Sequence, residues 1–244
     1  MSTPKSPLSD QPSALFTPFK DIVRIQLTVN NTMAGENWIT EAIEAQRIDY
    51  SWAALDESAE LWRCAIPFKF WDRTEFVMDT ENAKMEVVDL LHFAIAQDLA
   101  SVNHGEAPET SEVLVEMVAA RMDKGSSWSE SEGDPQKNLR LNLKAFIHGL
   151  THPSGTQIDW TALFNLAHAV DLTPESLIAL YKAKAILNKF RTQMRANGKY
   201  HKVWLESKED NYYLTQWLST QPAMPPEADV MNWLVSTYRR MIPQ

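Results

Sequence analysis

Residues 81–99 read ENAKMEVVDLLHFAIAQDL. No Gly or Pro interrupts them, and Ala, Met, Leu, Glu and Lys favour a single helix. Met85, Val87, Val88, Leu90, Leu91 and Phe93 leave that helix apolar nearly all round, which is the pattern of a buried helix. Glu86 and Asp89 sit three residues apart, so they share one face. Carboxylates on such a helix lose their water, at a cost that is tolerable only with a counter-ion or a shared proton.

Just upstream, Asp49–Ala65 predicts a helix halted by Pro67. It carries a second pair, Glu57-Ser58-Ala59-Glu60, again three apart. Taken alone, Glu57 and Glu60 read as ordinary solvated acids. Two pairs on adjacent helices, one of them inside an apolar run, point instead to a metal site. Four carboxylates with no converging Cys or His pair select a hard cation, Mg²⁺ with Mn²⁺ as a substitute. A di-iron bundle normally needs two Glu-x-x-His motifs, and only Asp89-Leu90-Leu91-His92 comes near one. His104, His148, His152, His168 and His201 read as surface or core fillers.

Beyond this centre, helices are expected at Trp38–Ala45, near 111–122, at Asn138–His148, at Asp159–Ala169, and near 228–241. Another should start at Thr173-Pro174-Glu175-Ser176 and run to Ala196, before Gly198. Asp21–Leu27 reads as a short apolar-alternating stretch entering a turn at Asn30–Gly35. Residues 1–20, with four prolines, read as a flexible leader. On the long helix, Lys184, Asn188 and Arg191 fall at i, i+4 and i+7 and share a face. A lysine, an amide and a guanidinium fork suit an oligophosphate; a solvated basic face is the plainer alternative. Tyr200, Lys202, Trp204 and Glu209-Asp210-Asn211 follow them.

Composition narrows the class. Only 7 of 244 residues are Gly, with none between Gly35 and Gly105 or between Gly155 and Gly198, which favours an all-α chain over sheets. There is no GxGxxG, GxxxxGK[ST] or GxSxG, which removes the dinucleotide, P-loop and hydrolase-elbow readings. Cys64 is the only cysteine, so no internal disulfide is expected and a cytoplasmic setting is. No apolar run is long enough to span a membrane. The net charge of −9 disfavours a nucleic-acid surface.

The run Asn82-x-Lys84-x-Glu86-x-x-Asp89-x-x-His92-Phe93, with Glu57-x-x-Glu60 before it, resembles the dimeric all-α dUTPases of kinetoplastids, some bacteria and phages, in the MazG-like NTP pyrophosphatase group. Pro67-Phe68-Lys69-Phe70-Trp71 is similar to an element that follows the first acidic pair in that family. Gln26, Asn30 and Gly35-Glu36-Asn37-Trp38 resemble its nucleobase segment. Lys184-x-x-Leu187-Asn188-x-Phe190-Arg191, Tyr200-x-Lys202-x-Trp204 and Glu209-Asp210-Asn211 resemble its phosphate motif.

The resemblance implies a helical bundle and Mg²⁺-dependent conversion of dUTP, and of dUDP, to dUMP. Glu57, Glu60, Glu86 and Asp89 would hold metal, with Glu60 or Glu57 serving the attacking water. Lys184, Arg191, Tyr200 and Lys202 would grip phosphates, with Lys69, Asp210 and Asn211 in the same site. Gln26, Asn30 and Trp71 would meet the base, and His92 and Asn188 would lie near the sugar. It also implies a homodimer, a rigid core of residues 21–100 and 158–244, and a mobile helical segment at 101–157. A relative preferring dCTP or another dNTP is the near alternative, and a non-enzymatic helical interaction protein the distant one.

Overall fold

The computed structural model describes residues 12–40, 49–66, 76–102, 111–126, 134–152, 157–196, 198 and 200–242. Its helices are α1 (Phe16–Ala34), α2 (Tyr50–Ala65), α3 (Thr80–Val102), α4 (Ser111–Gly125), α5 (Pro135–Leu150), α6 (Trp160–Ala169), α7 (Pro174–Ala196), α8 (Asp210–Ser219) and α9 (Glu227–Met241). Residues 38–40 are helical as well. The described residues contain no strand, only one bridge between Val203 and Glu209.

The apolar run of α3 puts that helix at the centre. Ala83, Val87, Val88, Leu90, Leu91, Ala94, Ile95 and Leu99 are fully buried around its circumference. α2 packs most extensively on it, and α1, α4, α6 and α7 close the remaining sides. Aspartates start α2, α5 and α6. Asp49 accepts from the Ser51 N–H, Asp134 from Gln136 and Asp159 from Ala162, each at 2.9 Å. α7 starts with a reciprocal pair, Thr173 N–H to Ser176 Oγ at 2.8 Å and Ser176 N–H to Thr173 Oγ1 at 3.2 Å.

The first segment departs from expectation. α1 begins inside the stretch read as a leader and runs unbroken through the turn expected at Asn30–Gly35, ending only at Gly35 with φ 91°. Phe19, Ile22, Val23, Gln26 and Asn30 recur at helical spacing on its buried face. Thr28 and Thr32 donate back to the carbonyls of Arg24 and Thr28 at 2.9 and 2.8 Å, so their hydroxyls are absorbed by the helix. Burying that face outweighs the turn preference of the Asn and Thr residues.

α4 crosses α6 so closely that a Cβ on Gly125 would lie 2.4 Å from Trp160 Cβ. Buried Asp98 of α3 joins both helices, accepting from Arg121 at 2.5 Å and from Trp160 Nε1 at 3.1 Å. A second core, from Leu187, Phe190, Trp204, Leu214, Val230, Leu234 and Tyr238, packs the C-terminal half of α7 against α8 and α9.

Candidate active site

α2 and α3 run side by side and bring their acidic faces together. Glu57, Glu60 and Glu86 each contribute a carboxylate oxygen, and these oxygens all lie within 4.8 Å of one another. Glu86 is 6 % exposed, Glu57 half-buried, and the Glu60 side chain 45 % exposed. Burial, then the charge of Asp89, pushes both Glu57 and Glu86 well above the ordinary carboxylate range. The two carboxyls hydrogen-bond each other, so one of them keeps a proton unless a cation replaces it. An all-oxygen donor set under this repulsion fits Mg²⁺ and does not suit a thiophilic or imidazole-seeking ion.

Asp89 lines the same cavity of about 230 Å³ but stands apart from the cluster of three. Its Oδ2 accepts from Lys184 Nζ at 2.7 Å, and Lys184 also donates to Asn211 Oδ1 at 3.1 Å. Asn188, Arg191, Lys202, Asn211, Phe93 and Glu209 complete the lining. Lys202 pairs with Glu209 at 2.8 Å on the exposed rim.

Arg191 is bound more firmly. Its Nε and Nη2 form a fork on Asp210 at 3.0 and 2.7 Å, Nη2 reaches Asn211 Oδ1 at 3.0 Å, and Nη1 reaches Asn188 Oδ1 at 3.1 Å. Tyr200 donates to the same Asp210, whose side chain is 0 % exposed. Burial and that carboxylate push the Tyr200 phenol up. Tyr200 in turn stacks on Tyr238 of α9, 6.0 Å between centroids.

Gln26 and Asn30, expected at the base, and His92, expected near the sugar, come together one helical turn away. Asp89 and Lys184 form one level between α3 and α7; His92 and Tyr181, three residues along each helix, form the next. The two rings stack at 4.0 Å. Gln26 Oε1 lies 2.7 Å from both His92 Nδ1 and the Tyr181 hydroxyl, and Gln26 Nε2 donates to Asn30 Oδ1 at 2.8 Å. Asn30 Nδ2 and His92 Nε2 are buried with no partner among the described residues. Burial lowers the His92 pKa to about 4, so the ring is neutral.

Lys69 and Trp71 lie outside the described residues. All the other expected residues fall in the cavity, in the Arg191–Asp210 bracket or in the Gln26 cluster. Sequence reasoning gave Tyr181 no place in the site, and quoted Phe93 and Glu209 as motif members without assigning them a role. A signal existed for Tyr181: it stands three residues before Lys184, on the same face of an otherwise apolar stretch, where a buried phenol needs a partner.

No described helix is long and apolar enough to cross a membrane. No curated protein matches the chain. Residues 18–196, well over half the chain, match the family model described as dUTPase, and Tyr200, Lys202, Asp210 and Asn211 lie beyond the matched part. A match running from the start of α1 to the end of α7, on a helical fold that gathers acids and lysines in one cavity, means that the chain belongs to the dUTPase family and is a dUTP diphosphatase.

Proposed function

We propose that this dUTPase splits dUTP, and dUDP as well, at the α-phosphorus in the carboxylate cavity with Mg²⁺. The products are dUMP and pyrophosphate or phosphate. The observation that carries this reading is the convergence of three carboxylates within 4.8 Å, beside Lys184 and Lys202, in one cavity.

Glu57, Glu60 and Glu86 would hold Mg²⁺, joined by Asp89, and the bound ion would supply charge neutralisation at the phosphate and acidify a water. Glu60, the exposed member, orients the attacking water and takes its proton. The water oxygen bonds to the α-phosphorus as the bridging oxygen to the β-phosphorus departs with pyrophosphate. Lys184 turns from Asp89 to the phosphates, which frees that carboxylate. Lys202 leaves Glu209 at little cost, because exposed ion pairs contribute only about 0–1 kcal/mol. Arg191, held by Asp210, keeps the polar segment 200–211 against the cavity and offers its remaining Nη1 hydrogen to phosphate.

By the same resemblance the enzyme works as a homodimer in the cytoplasm; light scattering at twice 27.8 kDa is the expected result. The decisive experiment incubates the protein with each dNTP and dUDP, with Mg²⁺ or EDTA, and separates the products. Mg²⁺-dependent dUMP formation supports the reading. EDTA-resistant turnover removes the metal, and preference for dCTP moves the error to the base pocket.

A further inference from the structure

We infer that Tyr181 fixes the hydrogen-bond polarity of the base-reading end of the site, a specificity role that rests on the dUTP reading above. The Gln26 amide has oxygen and NH₂ ends that fill nearly the same space. In one sense Oε1 accepts from Tyr181 O–H and His92 Nδ1–H, while Nε2 donates to Asn30 Oδ1, with contacts of 2.7, 2.7 and 2.8 Å.

Turned over, Nε2 would donate to the Tyr181 oxygen and the His92 Nδ1 lone pair, and Oε1 would accept from Asn30 Nδ2. The imidazole follows either sense by changing tautomer, and Asn30 by turning its own amide. Tyr181 cannot follow. Its side chain is fully buried, and Gln26 is its one hydrogen-bond partner among the described residues. In the turned-over sense the phenolic hydrogen has no acceptor, and such an orphan is costly. The phenol therefore selects the first sense for the whole chain of four groups.

That choice sets what the two unpartnered atoms offer. Asn30 Nδ2 presents N–H, and His92 Nε2 presents a bare lone pair. Both are buried one helical turn from the Asp89–Lys184 level of the cavity, about 5 Å along α3 and α7. A uracil imide matches this polarity: N3–H donates to His92 Nε2 and the C4 carbonyl accepts from Asn30 Nδ2. At those same places cytosine carries a bare N3 and an amino group, and meets donor with donor and acceptor with acceptor. The steric part of selection, against thymine, is a separate matter.

The test compares wild type with Tyr181→Phe, which keeps the ring and removes the hydroxyl. Nitrogen-15 NMR of the His92 ring should show Nδ1 protonated and Nε2 bare in wild type, and averaged shifts in Y181F. Calorimetry with dUMP and dCMP plus Mg²⁺ should show a dUMP preference that narrows about 10-fold or more in Y181F. An unchanged preference and an unchanged ring signature overturn the lock while leaving the dUTP reading standing. A wild type that prefers dCMP overturns the assigned polarity. A wild type that binds neither nucleotide overturns the dUTP reading, and the lock with it. Should Y181F fail to fold, the wild-type spectrum decides by itself: an Nε2–H tautomer overturns the proposal.

Discussion

Glu86 is a residue whose charge works against the fold that carries it. Its raised pKa means that the unfolded chain gives up this proton more easily, so the metal-free protein loses stability as pH rises through and above the ordinary carboxylate range. Glu86→Gln should therefore raise the metal-free Tm by about 2–4 °C, corresponding to about 1 kcal/mol in a chain of this size, while abolishing turnover and Mg²⁺-dependent stabilisation. Thermal melts with and without Mg²⁺ check this, and a variant that Mg²⁺ still stabilises fully would count against Glu86 as a ligand. His92 acts in the opposite direction along the pH axis. Its folded pKa of about 4 lies below the ordinary 6.5, so the unfolded chain binds the proton first and stability falls as pH drops from about 6.5 to about 4. Chemical denaturation across that window should show the fall in wild type and a smaller one in His92→Phe. Arg191 was expected to grip phosphate, yet its fork on fully buried Asp210 makes it part of the fold as well. Arg191→Ala leaves that carboxylate buried and unpaired, and should cost about 3–5 kcal/mol in urea denaturation. An unchanged midpoint would reduce the pair to decoration.

Among the helices, α3 was legible because its apolar residues cover every side, a pattern that only a buried helix carries. α2 was legible as a run from Asp49 to Ala65 with Pro67 as its stop. α1 was misread because Asn30, Asn31 and Thr32 signal a turn locally, while the competing signal, a buried stripe ending in two amides, becomes visible only once α3 and α7 supply its partners. The α4–α6 crossing depends on one missing Cβ. Gly125→Ala would press a methyl to 2.4 Å from Trp160 Cβ, and should destabilise by about 1–3 kcal/mol. Equilibrium unfolding of that variant measures the cost; a neutral result would show that the crossing can open.

Over the whole molecule, two cores share one helix. Leu177, Leu180 and Tyr181 of α7 belong to the core around α3, whereas Leu187 and Phe190 belong to the core with α8 and α9. A 23-residue helix cannot melt in one half without exposing the base of the other core, so unfolding should be cooperative. Scanning calorimetry should show a single transition, and two resolved peaks would mean that the cores are independent. The acidic charge is arranged to similar effect. A net −9 is not spread evenly, because the cavity gathers acids against Lys184, Lys202 and Arg191.

By itself the sequence determined the helical class and the four metal-binding candidates, because periodicity, helix starts and acidic spacing are local properties that survive without coordinates, and its motifs carried the family resemblance. Only the tertiary structure decided which carboxylates meet, that Asp89 is engaged by Lys184, that Arg191 is held by Asp210, and that Tyr181 donates to Gln26. Those facts depend on how two helices distant in the chain line up level by level. Burial then sets both the polarity and the protonation of what they share.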